Sequence, residues 1–575
     1  MKLKRIIAIA CTAAMTVSLI SGCGGASDKG QKEAVKEAEG TAKEDLPLAK
    51  YPETVTVHLG GKMNPNAKIP EGMSFEDNSY TRLLKENLNI QVVYDWTAST
   101  SDYDEKMSLC IGSNTIPEIM NVNATQYRAL LKYDMIQPLD KYFDDYASDA
   151  LKSYVKSGGE ELQKCITNED GELMAIPAPN LTAGGVNEMW IRQDWLDALG
   201  LDVPRTWDEL AEVAKAFVTR DPDGNGENDT IGILGPGNSD HMNAVGGNQF
   251  GLDPLFSCFQ SYPQYWLKSE DGSVEYGSIQ PETKTALENI SKLYADGVID
   301  PETLVRSDSK EPLLAGKVGI FFGPWWCAYT FADTTLSGSA DWRAYFTPLS
   351  EDGKYYTHMA EPTTQYVVAS KDCKNPEAAF KIINYIVANE QKWVEEGVTS
   401  TEMGTGDFYP LYNTYDNADE IEKSYEALTK YLAGDISMDD VDFSTHKLLK
   451  NDMEAVTKLK KKPYDDFSLK YWNLDSDLAK TNLPRLVAIM VGDAPLVNEE
   501  YVPVYNAYNG QTETMEAKWA NLKKMEEETF AKIIMGKADI SEFDTFVKNW
   551  KNQGGDQILK EINDELSKYC LLYTS

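Results

Sequence analysis

The fold class of this 575-residue chain is decided by residues 54–94, which read TVTVHL at 54–59, YTRLLKENL at 80–88 and IQVVY at 90–94. The first and third stretches are rich in β-branched residues and have the pattern of strands. The middle stretch places Leu83, Leu84 and Leu88 on one side of a helix. A strand, a helix and a second strand in this order predict a right-handed crossover between parallel strands, which indicates an α/β fold.

Helix signals continue along the chain. Thr206 and Glu209 have the spacing of a capping box, and an apolar stripe follows them. Pro376 suits the first turn of another helix, and residues 282–295 and 515–535 are also predicted to be helical. Since the chain is longer than one hydrophobic core usually serves, we expect two lobes.

The N-terminus has the composition of an export signal. A basic start and an apolar run from Ile6 to Ile20 precede Ser21, Gly22 and Cys23. The run is too short for a spanning helix, so residues 1–22 are predicted to be a signal peptide and Cys23 to be lipidated. Residues 23–50 are polar and charged, which predicts a disordered tether. The final residues, 570–575, break the preceding helical pattern, and we expect them to be a non-native tail without function.

Charge and cysteine content exclude several kinds of partner. The formal net charge of −36 argues against nucleic acid and against an anionic membrane surface. The eight cysteines are scattered and contain no C-x-x-C pair, so a zinc site is not expected.

Catalytic motifs are absent from the sequence. The four histidines form no H-E-x-x-H motif, and neither G-x-S-x-G nor a phosphate-binding loop occurs. Paired carboxylates of a glycosidase remain an open alternative in so acidic a chain.

An oxygen-rich loop occupies residues 221–229, with the sequence DPDGNGEND. Calcium prefers six to eight oxygen ligands, and alternate oxygen-bearing side chains can wrap around one ion. The twelfth position of the loop is Gly232 rather than a bidentate glutamate, which departs from a full EF-hand. The alternative is a solvated turn. We expect a structural calcium site, with these residues as candidate ligands: Asp221, Asp223, Asn225, Glu227 and Asp229.

Aromatic residues are the second signal of binding, with 31 tyrosines and 12 tryptophans in the chain. Trp325 and Trp326 follow an apolar strand that ends in Gly323-Pro324. Neighbouring side chains on a strand point to opposite faces, so both tryptophans are core residues only if both faces are covered. Indole rings also stack on the apolar faces of sugars. For a single tryptophan, packing in the core is the competing interpretation.

At this point the chain resembles the family 1 extracellular solute-binding proteins of ABC importers, in the lipoprotein branch that serves carbohydrates. The resemblance covers nearly all of the body and depends on an ordered set of motifs. These motifs are IRQDWLDALGL at 191–201, PRTWDEL at 204–210, the 221–229 loop, YADGVIDPE at 294–302, KNPEAA at 374–379, and the stretch from Trp550 through Gly554-Gly555 to Glu561-Ile562-Asn563.

The resemblance implies a two-lobed α/β fold of the periplasmic-binding-protein type II class, with a hinge and an interlobe cleft. Residues 51–180 with about 310–375 are expected in the N-terminal lobe, and residues 181–309 with about 376–569 in the C-terminal lobe. Calcium would have a structural role in such a protein. Ligand contacts from both lobes would stabilise the closed state that the importer recognises.

The function that follows is capture of an oligosaccharide or sugar derivative by a monomeric, non-catalytic lipoprotein anchored on the outer face of the cell membrane, with ABC permease subunits as partners. The candidate ligand-binding residues are Trp266, Trp325, Trp326, Arg192 and Glu361. A secreted glycoside hydrolase and a binding protein for a non-sugar solute, such as a peptide, are the alternatives. A chromogenic glycoside would distinguish the first of these, since only an enzyme turns it over.

Overall fold

The computed structural model describes residues 43–570 apart from 68, 70, 169, 239–248, 396–407, 412–414, 444–445, 447 and 463–466. The predicted signal peptide, Cys23, most of the predicted tether and residues 571–575 lie outside the described residues. Their predicted roles therefore stay predictions.

The described chain contains both strands and helices, with runs of consecutive helices between some of the strands. The strands are β1 Val55–Met63, β2 Ile90–Ser99, β3 Ile119–Val122, β4 Ile176–Pro179, β5 Glu188–Arg192, β6 Ile231–Leu234, β7 Trp266–Lys268, β8 Val274–Tyr276, β9 Val318–Gly323, β10 Trp342–Tyr345, β11 Tyr355–His358, β12 Thr363–Ala369 and β13 Tyr501–Val504. The helices in the first half are α1 Ser79–Leu88, α2 Tyr103–Gly112, α3 Ala124–Lys132, α4 Asp140–Tyr146, α5 Asp149–Ser157, α6 Gly159–Ile166, α7 Gln193–Leu199, α8 Trp207–Thr219, α9 Asp253–Ser257 and α10 Pro281–Ala295. Those in the second half are α11 Lys310–Leu314, α12 Ala328–Leu336, α13 Glu377–Glu395, α14 Glu420–Ala433, α15 Leu449–Leu459, α16 Asp477–Val487, α17 Ala494–Asn498, α18 Glu513–Ile534, α19 Glu542–Trp550 and α20 Asp556–Cys570.

Local sequence signals locate several helices correctly. The Thr206 hydroxyl accepts from the Glu209 N–H at 3.3 Å, and the Glu209 carboxylate accepts from the Thr206 N–H at 3.0 Å. This confirms the predicted capping box at the start of α8. Helix α13 begins directly after Pro376, as predicted. None of the helices in the described ranges has the length and apolar character that crossing a bilayer requires.

Lobe 1 is built on a five-stranded sheet in the order β2-β1-β3-β12-β4. Strands β1 and β2 run parallel, with Val55 opposite Ile90, and α1 connects them. This confirms the predicted β-α-β unit. Leu84 and Leu88 of α1 are buried in the core beneath this sheet, together with Leu59 of β1.

Lobe 2 contains a four-stranded sheet in the order β10-β5-β9-β6 and two apolar clusters. Helices α8, α10, α18 and α19 contribute to one cluster, and α12 and α14–α16 contribute to the other. Together with lobe 1, this arrangement confirms the predicted two-lobed α/β fold.

The division of the chain between the lobes differs from the predicted boundaries. Residues 318–345 carry β9 and β10 in the sheet of lobe 2, whereas 310–375 had been predicted in the first lobe. Conversely, α13 and residues 408–411 pack in the core of lobe 1, whereas 376–569 had been predicted in the second. The reason is strand pairing, since β9 pairs with β5 and β6, while β12 crosses back to pair with β3 and β4.

Three connections join the lobes in the described chain. They lie at residues 180–183, 359–363 and 415–421. The Asn180 side-chain amide donates to the Glu361 carbonyl at 2.7 Å, and the Asn180 N–H donates to the Pro362 carbonyl at 2.8 Å. The Thr182 N–H donates to the Ala418 carbonyl at 2.8 Å. These bonds hold the three connections side by side, which is the arrangement of a hinge.

The last part of the predicted tether is ordered rather than free. Residues 43–48 form a 3₁₀ helix whose Leu46 side chain is buried. The ammonium of Lys381, which is also buried, donates to the carbonyls of Leu46 at 2.6 Å and Ala49 at 2.7 Å. The buried Leu46 side chain and the Lys381 ammonium thus hold residues 43–49 on lobe 1, so this part of the predicted tether packs against the body.

Candidate ligand-binding cleft

A cleft of about 2620 Å³ separates the two lobes. Pockets for drug-sized ligands usually measure about 300–1,000 Å³, so this cleft has room for an oligomeric ligand. Lobe 1 contributes α3, α5 and α6 to one wall, and the connection at 359–362 forms the floor. The other wall comes from lobe 2, which contributes the turn at 325–326, the loop at 505–513 and residues 561–566 of α20.

Trp325 and Trp326, two of the predicted ligand-binding residues, both line the cleft. They lie in a 3₁₀ turn after β9 rather than on the strand itself. Successive side chains of a 3₁₀ helix are about 120° apart, so both can face one side in part. Trp325 is 6% exposed and belongs to the core of lobe 2, while Trp326 is half-buried. The pair therefore presents one anchored ring and one more accessible ring to the cleft.

Gly492 fixes the position of Trp325. A Cβ at residue 492 would lie 2.6 Å from the Trp325 carbonyl oxygen and 2.9 Å from the Trp190 ring. Real side chains do not approach that closely, so only glycine lets the π-helical turn at 488–492 pack against the back of this wall.

Several donors in the cleft have no protein partner. The Tyr127 hydroxyl, the Arg128 Nη1 and the Trp325 indole N–H belong to lining residues, are inaccessible to solvent and make no hydrogen bond within the described chain. Leaving a buried donor unsatisfied costs about 1–3 kcal/mol. Because these atoms are inaccessible to solvent, a ligand oxygen would reach them only after the lining side chains move.

Glu361 lies in the floor of the cleft, as predicted for a polar ligand-binding residue. Burial raises the pKa of its carboxyl, and the nearby Arg128 guanidinium opposes that rise. Its backbone carbonyl accepts from Asn180, so the hinge itself positions this side chain.

Trp266 is not a cleft residue, contrary to the prediction. Its ring packs on Tyr276 at 4.7 Å and Trp519 at 5.5 Å in the core of lobe 2. The preceding residue, Tyr265, lines the cleft instead, and its hydroxyl donates to the Met359 carbonyl at 2.5 Å. Side chains alternate along an extended segment, so only one of the two neighbours can face the cleft.

Arg192 also lies away from the cleft lining. Its guanidinium donates to the Asp194 carboxylate at 2.8 Å and to the Ser339 carbonyl at 2.6 Å. The group lies over the Trp195 ring at 4.6 Å and is almost fully buried. These contacts link the end of β5 to the loop before β10, so Arg192 has a structural role within lobe 2.

The 221–229 loop draws its oxygen-bearing side chains together. The Asn225 side-chain amide donates to Asp223 at 2.9 Å and to Asp229 at 3.2 Å, and the Asn225 N–H donates to Asp221 at 3.1 Å. The Glu227 N–H donates to the Asn225 side-chain oxygen at 2.6 Å. The hydrogen bonds of Asn225 therefore bring the carboxylates of Asp221, Asp223 and Asp229 close to one another.

The loop concentrates carboxylates without forming a metal cage. Partial burial and the neighbouring Asp221 raise the pKa of Asp223. The Lys317 ammonium lies 2.9 Å from the Asp229 carboxylate and pairs with it. Over the ranges that the structure describes, no group of three or more Asp, Glu, His or Cys side chains is arranged to hold a metal ion. The calcium site therefore stays a prediction.

Sequence reasoning missed Tyr127, Arg128 and the loop at 505–513. The Asn123 cap and its partner Gln126 mark the start of α3, so the helix itself was predictable. The face of α3 that lines the cleft was not predictable, because no local pattern in the sequence indicates which side of a helix faces the other lobe.

Curated relatives and solved structures are similar to this chain. Residues 66–393, more than half of the chain, match the family model described as bacterial extracellular solute-binding protein. The fructooligosaccharide ABC transporter substrate-binding protein FusA of Streptococcus pneumoniae serotype 4 is 30% identical over 246 residues, which cover 40% of this chain and 43% of FusA. The match thus spans less than half the length of that relative.

Two further similarities extend over nearly the whole chain. The polygalacturonan/rhamnogalacturonan-binding protein YtcQ of Bacillus subtilis is 23% identical over 522 residues, covering 88% of this chain and 92% of YtcQ. The structure of an HMO-binding, ABC-transporter-associated solute-binding protein from Bifidobacterium longum infantis has a TM-score of 0.55 at 17% identity. That alignment covers 91% of this chain and 99% of the other, and it shows a shared fold. Together with the family match and the interlobe cleft, these findings place the chain in the bacterial extracellular solute-binding protein family.

Proposed function

We propose that this protein captures an oligosaccharide outside the cell and delivers it, as a monomer, to the permease of an ABC importer. The observation that carries the proposal is the cleft between hinged lobes, which Trp325 and Trp326 line together with polar and charged side chains. Indole rings stack on sugar C–H faces, and polar side chains can form hydrogen bonds to sugar hydroxyls. The relatives named above for their sugar ligands support the same class of ligand.

The test is calorimetric titration of the purified chain with neutral and acidic oligosaccharides. Trp326→Ala should weaken saccharide binding by roughly tenfold or more, because an aromatic anchor in a binding site is usually worth over 1 kcal/mol. Tyr329→Ala, which removes an exposed aromatic ring outside the cleft lining, is the matched control and should bind normally. Absence of saccharide binding by folded protein would refute carbohydrate capture. Turnover of a chromogenic glycoside at an enzymatic rate would refute the non-catalytic role.

We further propose that Cys23 carries a diacylglyceryl anchor on the outer face of the membrane. Support comes from the Ser21-Gly22-Cys23 sequence behind an apolar run. Two acyl chains would anchor the protein stably. Metabolic labelling with a radioactive fatty acid should mark the wild type and not Cys23→Ser, and label on the variant would contradict the assignment.

We also propose that the 221–229 loop binds calcium in a structural role. Carboxylates that lie close together support this assignment, with Asp221, Asp223, Asn225 and Asp229 supplying side chains and Glu227 its backbone carbonyl. Removing calcium with EDTA should lower the melting temperature of the wild type. The variant Asp223→Asn should lose most of that response, and an unchanged wild-type melting temperature after complete calcium removal would rule the site out.

A further inference from the structure

Arg128 and Glu361 both line the cleft, from different elements. Arg128 lies on α3, and Glu361 lies in the connection at 359–363. The Arg128 Nη1 is buried without a partner, and no hydrogen bond or ion pair engages the Glu361 carboxyl within the described chain. The Arg128 guanidinium opposes the rise in the pKa of the Glu361 carboxyl, so each group lies within reach of the other's charge. The floor of the cleft therefore offers an unused cationic donor beside an unused acceptor.

This combination of groups matches a particular ligand chemistry. A pair of adjacent sugar hydroxyls can accept from a guanidinium and donate to a carboxylate at the same time. A ligand carboxylate can only accept, so it would satisfy Arg128 and meet Glu361 with a like charge. A neutral diol therefore uses both side chains, whereas an acidic sugar uses one and is repelled by the other.

The charges of the lining residues also bear on the choice of ligand. On the wall from lobe 2, Lys268 is outnumbered by Glu513, Glu516, Glu561, Asp564 and Glu565. On the wall from lobe 1, basic and acidic residues nearly balance, with Arg128, Lys132, Lys152, Lys156 and Lys164 against Asp134, Glu160, Glu161 and Asp170. A wall that carries mainly one sign of charge repels ligands of that sign. The wall from lobe 2 thus opposes a polyanionic saccharide.

We propose that Arg128 and Glu361 select neutral oligosaccharides, by binding adjacent hydroxyls of one sugar unit, over oligosaccharides that carry uronate carboxylates. The selection rests on the proposed capture of carbohydrate and names the class of sugar. Arg128 is the main anchor, and Glu361 excludes the ligand carboxylate.

The test compares ligands that differ only in their carboxylates. Oligogalacturonate and oligoalginate, each with its carboxyl-reduced neutral counterpart, and neutral fructooligosaccharides are titrated into the full chain by calorimetry. The neutral members should bind at least about tenfold more tightly than their acidic counterparts, since like-charge contacts cost several kcal/mol when desolvated. Arg128→Gln should weaken neutral binding by roughly 10- to 100-fold, which is the usual worth of a hydrogen bond to a charged group.

The variant Glu361→Gln separates selection from folding. Its preference for neutral over acidic ligands should shrink by about tenfold, because the amide keeps the size of the side chain and removes its charge. The matched controls are Arg220→Gln and Glu288→Gln, which change exposed residues outside the cleft and should bind as the wild type does. Tighter binding of a uronate than of its reduced counterpart, or an unchanged preference in Glu361→Gln, would overturn the selection and leave carbohydrate capture standing. If the folded protein binds no saccharide, both proposals fall.

Discussion

Replacing Glu526 by glutamine tests how lobe 2 holds a carboxyl in its core. Glu526 lies on α18 with no exposed surface, and it accepts from the hydroxyls of Tyr276 and Ser278, each at 2.8 Å. Burial is the main cause that raises the pKa of this carboxyl from an ordinary 4.5 to about 7. The two hydroxyl donors oppose the rise without cancelling it. The residue is therefore protonated in the folded protein over a range where the unfolded chain is ionised.

The sign and size of the effect follow from proton linkage. Below pH 4.5 the carboxyl is protonated in both states, and its contribution to the stability of the fold is fully present. Between pH 4.5 and about 7 the unfolded chain releases the proton and the folded chain retains it, so stability falls as pH rises. The total loss from this group is about 3 kcal/mol, at about 1.4 kcal/mol per pH unit. Glu526→Gln keeps the shape of the side chain and loses this pH dependence.

Urea unfolding, followed by tryptophan fluorescence, measures the difference in unfolding free energy between Glu526→Gln and wild type at pH 4.5 and pH 8. That difference should move in favour of the variant by about 3 kcal/mol between the two values. Other buried carboxyls contribute equally to both proteins and cancel. Glu528→Gln, which changes an exposed carboxylate on the same helix, is the matched control for the loss of one carboxylate. A pH-independent difference for Glu526→Gln would refute the reasoning.

Three further predictions concern the segment at 43–49 that packs on lobe 1, the hinge and a buried histidine. Lys381→Met should accelerate hydrogen exchange in residues 46–49, because their carbonyls lose a buried donor worth about 1–3 kcal/mol; unchanged exchange would contradict its clamping role. Gly185→Ala should lower the melting temperature and alter saccharide affinity, since a Cβ there would lie 2.6 Å from the Ala360 backbone nitrogen in the hinge. If the variant has the melting temperature and the affinity of the wild type, the backbone at 359–363 can move enough to accept the added methyl group. Burial lowers the pKa of His358 to about 3, so its NMR signals should not titrate between pH 5 and 8, and a titration in that range would show that the imidazole reaches water.

Local sequence determined the elements of this protein and its class of fold. The β-α-β unit at 54–94, the capping box at Thr206 and the helix start after Pro376 are set by contacts within a few residues, so their signals are complete in short stretches. The sequence also singled out Trp325, Trp326 and Glu361 as candidate ligand-binding residues, and all three line the cleft. Ordered motifs then identified the family.

Tertiary structure alone decided how the chain is shared between the lobes and which side chains face the ligand. Strands β9 and β12 are both apolar, and nothing in either one specifies the sheet that it joins. The predicted cleft residue Trp266 lies in the core, and its neighbour Tyr265 lines the cleft instead. Arg128 became a cleft residue because α3 turns that face toward lobe 2. Pairing across hundreds of residues depends on the free energy of the assembled core, which short segments of sequence do not contain.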